Sequence, residues 1–404
     1  MVEINKETDF MAPTFDILVE GQEIGSNIIE CIESVEYESA DGLADVIHIR
    51  AINPDFILSE AKVFQPGNEV AIWMGDGSEQ EFIGRGVIRA QQPNFPQQGM
   101  PTIRVVAFTR DVQMMDNEPE RPKKVPGKRR KKGGRVFKDS KHSDAVEAKA
   151  AFYGFTPDID ITEGEPSNFI QVPGQSDYEF VNGLANINGY VFWVDGDENK
   201  EWTLHFKKPD SLPGLQEKQY TFRYNQQNDS TLLSFQTQFL INKSITEMDV
   251  VVKDRRTGKV LEVTVKEESD ASPDLSAIGD PAGEVVTPSP IEILRAGTLE
   301  GLTSASDVKL FFNDYSFTVN TNRRFKTQAE LEAWARQWFR RMRENFVLSE
   351  GRVIGVGNLR ARQVHKLYGV GNLYNGEYYF TKVKHVCSKD HGYIVDFKAR
   401  KMVP

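Results

Sequence analysis

The densest group of side chains able to bind a metal lies near the end of the 404-residue sequence, where His365, His385 and His391 fall within 27 residues and Cys387 sits among them. A zinc centre takes four ligands, usually as two close pairs. His385-x-Cys387 alternates along a predicted strand, which puts both side chains on one face. No second pair accompanies them, so ordinary core positions of a β-domain are the better reading. The Gly-x-Gly elements are Gly84-Arg-Gly86, Gly355-Val-Gly357 and Gly369-Val-Gly371. Each lacks a third glycine and stands between strands, whereas a dinucleotide site needs its pyrophosphate at a helix N-terminus. Turn glycines account for them. The sequence has no Gly-x-Ser-x-Gly elbow, no His-Glu-x-x-His and no Walker loop. Carboxylates are abundant, but none is singled out as half of a glycosidase acid/base pair. No catalytic, cofactor-binding or metal-binding residue is nominated, and the chain is expected not to be an enzyme.

Charge supplies the other candidate chemistry. Between Arg121 and Lys141 there are eleven Lys/Arg against one acid, Asp139, a local charge of +10. The net charge is −10, so the rest of the chain carries −20. Such a body repels nucleic acid over most of its surface. The run holds no aromatic residue before Phe137, whereas single-strand binders interleave aromatic platforms with their cations. The expectation is a solvated loop that docks on an acidic neighbour through Lys128, Arg129, Arg130, Lys131 and Lys132; a nucleic-acid arm is the competing reading.

The elements that would position these residues are mainly strands. Hydrophobic residues make up 39% of the chain, with 25 Phe, 12 Tyr and 31 Gly, a composition suited to short strands and tight turns. Cys31 and Cys387 are too few for a disulfide framework and fit a reducing compartment. The acidic, polar first ten residues do not form a secretory signal, and apolar runs such as Met248 to Val252 are too short to span a bilayer. A soluble protein without membrane insertion is expected.

The class read from this pattern is mainly β (α+β), in four stretches. Residues 1–112 carry a meander with strands at Phe15–Val19, Asp45–Arg50, Glu69–Trp73, Phe82–Ala90 and Thr102–Phe108, which predicts a small antiparallel barrel or sandwich. Residues 113–142, with Pro122, Pro126, Gly127 and the basic run, read as a loop or linker. Residues 143–222 read as an α/β unit. Ser143 is placed as the cap of a helix through Ala145, Val146 and Phe152, ended by Gly154. A capping box, Ser176-x-x-Glu179, opens a second helix with Phe180, Leu184 and Ile187 on one stripe before Gly189. Tyr190–Val194 and Trp202–Phe206 form a hairpin. Residues 223–404 return to strands at Leu232–Phe239, Ile245–Lys253, Lys259–Lys266, Arg362–Tyr368, Glu377–Cys387 and Tyr393–Ala399. An insertion is expected at about 267–300, and a helix at about 328–345 with Leu331, Trp334, Ala335, Trp338 and Met342 inward. The echo of Gly355-Val-Gly-Asn-Leu359 in Gly369-Val-Gly-Asn-Leu373 reads as two matched turns.

Several of these segments carry a family likeness. Phe64-Gln-Pro-Gly-Asn-Glu-Val-Ala-Ile-Trp73 followed by Phe82-Ile-Gly-Arg-Gly-Val-Ile88 resembles the first barrel of the phage late control D proteins. So does Pro93-Asn-Phe95 with Gly99-Met-Pro-Thr-Ile-Arg-Val-Val106. Ser176 to Trp193 looks like the helix-then-strand signature that these proteins share with type VI secretion spike proteins. Tyr374 to His385 and Gly392 to Phe397 are similar to their closing strands.

The resemblance covers most of residues 14–400 and implies a contractile-tail baseplate hub. It implies two tail-tube-type antiparallel β-barrels with an α/β domain between them, and a homotrimer in which six barrels match the sixfold tube while a threefold spike docks below. The implied partners are the central spike protein, the tail tube or tube-initiator protein, the tape measure protein and the baseplate wedge proteins. DNA would be only passing cargo, no cofactor is implied, and the place would be the virion tail baseplate, assembled in the host cytoplasm. This sequence stops at Pro404 without the spike domain of the type VI proteins, so the spike would be a separate chain. The readings from other classes are a baseplate-associated peptidoglycan hydrolase and a nucleic-acid-binding regulator using the basic arm.

Overall fold

The computed structural model describes residues 13–76, 79–116, 135–163, 165–208, 219–224, 230–239, 247–253, 260–266, 316–320, part of 328–339, 347–371, 374–390 and 392–402. The first described stretches carry β1 (Pro13–Val19), β2 (Gln22–Glu23), β3 (Ile32–Ala40), β4 (Val46–Ile52), β5 (Glu69–Asp76), β6 (Glu79–Asn94) and β7 (Thr102–Phe108), with short helices α1 (Ser26–Cys31), α2 (Ile57–Glu60) and α3 (Val112–Asp116). There follow β8 (Arg135–Ser140), α4 (His142–Tyr153), β9 (Thr156–Ile159), β10 (Ser167–Gln171), α5 (Asp177–Asn188), β11 (Val191–Gly196) and β12 (Trp202–Lys207). The remaining strands are β13 (Thr221–Arg223), β14 (Leu232–Phe239), β15 (Glu247–Lys253), β16 (Val260–Lys266), β17 (Ser316–Asn320), β18 (Val347–Ile354), β19 (Val364–Tyr368), β20 (Gly376–Ser388) and β21 (Gly392–Lys401).

The chain forms two units. The larger comprises Met1–Gln236, Ser349–Leu367 and Glu377–Ala399, and the smaller the remainder. In the larger unit the strands alternate as a half-buried sheet requires. On β4, Ile47, Ile49 and Ala51 are buried between Val46, His48 and Arg50; on β7, Ile103, Val105 and Ala107 alternate with Arg104 and Phe108 except for the buried Val106. Each buried isoleucine or valine of this set contributes roughly 1.5–3 kcal/mol. The principal sheet runs β14-β18-β21-β20-β3-β4-β7-β6-β5-β1-β2, with β13 on β19 and β19 on β20.

The mainly β, antiparallel character matches the expectation from sequence. Closure does not: among the described residues no sheet closes into a barrel, and the path is open. The reason lies at β3. Its edge takes the long strand β20 in antiparallel register from Lys382↔Ala40 to Ser388↔Ser34, so strands from near the two ends of the chain share one sheet.

The α/β part of the larger unit packs α4 and α5 over β11 and β12, with β9 added parallel to β12. Its core includes Ala145, Val146, Phe180, Val181, Leu184, Phe192, Val194, Leu204 and Phe206. The capping box of α5 forms as read: the Glu179 N–H donates to Ser176 Oγ at 3.1 Å and the Ser176 N–H to Glu179 Oε2 at 3.0 Å. Gly189 ends this helix at φ 73°, where a side chain would be strained. The start of α4 differs from the expectation. Lys141 is its cap residue and the Asp144 carboxylate accepts the Lys141 N–H at 2.8 Å, while Ser143 lies inside the first turn and gives its N–H to Thr162 Oγ1. An acid three residues on outcompetes the serine because it carries charge at the positive end of the helix. Phe152, expected inward, is 63% exposed.

In the smaller unit β15 pairs antiparallel with β16 and parallel with β17. The described residues between 328 and 339 are helical, and Leu331, Ala335 and Phe339 bury against Met248, Val250, Val252, Val263 and Val265, with Trp334 and Trp338 packed alongside. The stripe read from sequence is thus inward at every described position. The residues joining β15 to β16 and the expected insertion at about 267–300 lie outside the described residues.

Candidate functional site

Three arginines of the larger unit organise its polar interior. Arg362 follows the loop after β18 and adopts φ 70°, a left-handed conformation that costs a non-glycine residue about 1 kcal/mol. Its side chain is buried. Nη1 donates to the Ala40 carbonyl at 2.8 Å, and Nη2 lies 3.2 Å from each oxygen of Asp45. Its guanidinium carbon stands 5.1 Å from the centre of the Trp193 ring on β11. Asp45 in turn accepts from the Tyr37 hydroxyl at 2.7 Å, and its own N–H donates to Thr109 Oγ1 at 3.0 Å. The Thr109 hydroxyl donates to Asp111 at 2.7 Å. The network therefore ties β3, the β3–β4 turn, the end of β7, β11 and the segment before β19.

Its electrostatics follow from burial. Desolvation opposes charge on Arg362, but Asp45 and Asp41 outweigh it and hold the guanidinium firmly protonated. Burial pushes Asp45 upward against the pull of Arg362 and Tyr37. Asp111 makes no ion pair among the described residues; burial raises it to about 7, with the Asp45 charge adding to the rise and the Thr109 hydrogen bond and the Arg362 charge opposing it.

On the α/β side, His205 stacks on Trp193 with ring centres 4.4 Å apart. Its Nδ1 lies 2.8 Å from Asp158 and its Nε2 3.0 Å from Asp195. Burial works against its charge, yet the two carboxylates raise its pKa. The ring is a bridge between strands, since β9 supplies Asp158 and β11 supplies Asp195.

Arg85 on β6 and Arg360 make comparable staples. Arg85 Nη1 meets Glu69 Oε1 at 2.6 Å, while Nε and Nη2 donate to the carbonyls of Asp197 and Glu198 in the β11–β12 turn. Glu69 also receives Arg110 at 3.1 Å and the Trp202 indole N–H at 3.4 Å. Arg360 donates to the carbonyls of Gly357, Leu359, Phe82 and Ile83 and lies over Tyr37. Gly357 is needed beside this staple because a Cβ there would stand 2.5 Å from Glu81 Cβ. Gly355 would meet the Tyr393 ring, whereas Gly369 and Gly371 have φ of 80° and 93°, and Gly371 faces open space. The repeated letters thus serve two different purposes and are not matched turns.

The histidine–cysteine group does not converge. His385 is buried with Nδ1 2.8 Å from the Tyr393 hydroxyl and Nε2 2.7 Å from the Leu359 carbonyl, and burial lowers it to about 3. His365 takes the Tyr220 N–H and meets Gln363, and burial likewise lowers it to about 3. Cys387 is buried on β20, and His391 lies outside the described residues. Among the described residues no group of three or more His, Cys, Asp or Glu is placed to hold a metal ion. Lys128, Arg129, Arg130, Lys131 and Lys132 fall in 117–134, outside the described residues. No described helix is long and apolar enough to cross a membrane.

What sequence reasoning missed is the arginine set itself. Its ends are supplied by backbone carbonyls and by acids far away in the chain, and the only local signal is a charged residue inside a predicted strand, as at Arg85. Chemically, these groups spend their donors on carbonyls and carboxylates that fix strand positions. The arrangement is a cross-brace.

A family model described as the Alg8 N-terminal domain matches residues 11–277. No curated protein matches the chain. Among solved structures, the chain is similar to a tail protein from Neisseria meningitidis MC58 (TM-score 0.61, 11% identity, covering 96% of this chain and 97% of that one). It is also similar to the 43 kDa tail protein of prophage MuSo2 from Shewanella oneidensis (TM-score 0.62, 11% identity, 96% and 98% covered). A third likeness is to an E. coli component of the type VI secretion system (TM-score 0.50, 12% identity, 91% and 73% covered). The fold is that of these tail and secretion-system proteins.

Proposed function

The chain belongs, through residues 11–277, to the family of the Alg8 N-terminal domain, and from its fold we propose that it is a structural baseplate hub of a contractile phage tail or related injection system. The observation that carries this reading is the end-to-end likeness to two tail proteins, which spans nearly all of both chains, whereas the family match stops at two thirds of this one. The late control D group is the specific relative proposed, on the segments Phe64 to Val106 and Ser176 to Trp193.

In this reading the strands on either side of the α/β part are two tail-tube-type domains, here sharing an edge through β3 and β20. The protein is a homotrimer joining the sixfold tail tube to a threefold central spike, and it forms part of the channel through which DNA passes. The acidic balance outside the basic run suits such a lumen, because like charge keeps the cargo from sticking. Spike protein, tube or tube-initiator protein, tape measure protein and wedge proteins are its neighbours in the virion. Its role is mechanical rather than catalytic, which fits the braced interior: a hub must transmit force between partners without its own strands shearing.

The test is reconstitution. The purified protein is mixed with the spike and tube proteins of the same tail, and complexes are separated by size. Capture of both partners in stoichiometric amounts is expected. A protein that captures neither, or that clears peptidoglycan in a zymogram, overturns the reading.

A further inference from the structure

The register of the principal sheet sets Arg50 on β4 directly opposite Arg104 on β7, and Arg104 directly opposite Gln92 on β6. Like charges directly opposed across an antiparallel pair are destabilising. Arg50 is engaged on its β3 side by Glu33, at 3.0 Å. Arg104 has no such partner: among the described residues it is exposed and makes no ion pair. One guanidinium therefore stands unneutralised in a body of acidic charge, next to a second guanidinium that repels it.

The ground beside it is shaped to receive something. A hollow of about 390 Å³ lies over Arg104, with Gln92, Asn94 and Thr102 adding polar side chains to its lining. The β5 ladder ends at Val87, so residues 90–94 of β6 pair as strand with β7, and the segment before β5 reaches this edge through Gln91, whose Nε2 donates to the Phe64 carbonyl at 2.6 Å. Next in the chain after Asn94, which lines the hollow, Phe95 is 61% exposed and Phe56 packs edge-on against it at 5.4 Å, with Ile57 and Met100 also exposed. Phe56 and Asp55 hold left-handed backbone conformations, at φ 61° and 49°, so local strain is kept where this apolar cluster is presented. The Asn53 N–H bonded to the Pro101 carbonyl fixes that loop against the end of β7.

We propose that this hollow is a docking site for an acidic, extended peptide segment of a protein partner, with a carboxylate on Arg104 and an apolar side chain on the Phe56–Phe95 pair. Strand spacing supports the reach. A segment lying beside β6 is about 10 Å, two strand spacings, from Arg104, a gap closed by a glutamate meeting an arginine end to end. Pro93 removes one backbone donor from the β6 edge, so recognition rests on side chains more than on a shared ladder. Charge complementarity selects an acidic segment, and the apolar pair selects a peptide over a nucleic-acid backbone. The inference stands on the described sheet and does not depend on the hub reading.

The experiment is fluorescence polarisation of the full chain with a labelled peptide of alternating Glu and Phe/Val, alongside a labelled oligo-dT of equal charge. The wild type binds the peptide, more weakly as salt rises, and does not bind oligo-dT comparably. R104E lowers peptide affinity by about tenfold or more, a change of about 1.4 kcal/mol or more, and F95S lowers it independently of salt. Circular dichroism shows both variants folded; F95S changes an exposed side chain and serves where R104E does not fold. Equal peptide binding by wild type and both variants overturns the proposal, as does preferential binding of oligo-dT, which would mark a phosphate site.

Discussion

Replacing Arg362 by methionine removes the guanidinium but keeps an unbranched side chain against Trp193. In the wild type, Arg362 meets both oxygens of a fully buried Asp45 and one backbone carbonyl. Removing one partner of such a pair costs roughly 3–5 kcal/mol, because the remaining carboxylate is left in a low-dielectric interior. Relief of the left-handed strain does not offset this, since methionine at φ 70° keeps it. Asp45 retains Tyr37 as a donor, and burial already pushes its carboxyl upward, so taking up a proton relieves part of the penalty and the loss is smaller at low pH than at high pH. Urea unfolding followed by tryptophan fluorescence measures the change, with Trp193 reporting from beside the lost group. The double variant R362M/D45N is the second arm. It loses less than the two single variants summed, with a coupling of about 0.5–3 kcal/mol. A single R362M variant within about 0.5 kcal/mol of wild type, the range of an ordinary surface change, refutes the cross-brace.

Asp111 gives a pH signature. Its pKa rises from 3.8 to about 7 on folding, so the folded chain binds more protons than the unfolded one between these values and stability falls as pH climbs through that window, by up to about 1.4 kcal/mol per unit; D111N keeps the Thr109 bond and flattens the decline in thermal melts from pH 5 to 8. Ser176→Ala removes the cap of α5 and costs about 1 kcal/mol, read as a shift in the urea midpoint, with no change in oligomer mass. Replacing Lys128, Arg129, Arg130, Lys131 and Lys132 together by serine weakens assembly with tail partners more at low salt than at high salt, because screening already mutes the wild type; sedimentation of the reconstituted complex across a salt series measures it.

The strands with clean alternation were legible, and so was α5, whose cap is written in adjacent residues. Thr102–Phe108 matches β7 at both ends, and Trp202–Phe206 falls one residue short of β12. Strand β3 is hidden in the sequence, although Val35, Tyr37 and Ser39 alternate inward, because Glu33, Ser34, Glu36 and Glu38 give it a poor β composition. Of these, Glu38 and Glu36 pair with Lys382 and Lys384 of β20 across the join, while Glu33 pairs with Arg50 of β4. One edge of β3 is thus held by the other end of the chain while β4 holds the other, and the open path of the sheet through that join is not legible locally. The arginine network was hidden for the same reason: Arg362 and Asp45 stand 317 residues apart in sequence. Local patterning encodes an element's face and caps, whereas a buried ion pair is a property of tertiary register.

The proposed trimeric structural hub is tested by the native mass of the purified chain. Native mass spectrometry over a range of concentrations and ionic strengths is predicted to give a dominant species at three times the 45.8 kDa chain mass, either alone or on addition of the spike protein. A chain that stays at 45.8 kDa under every condition, spike present, contradicts it.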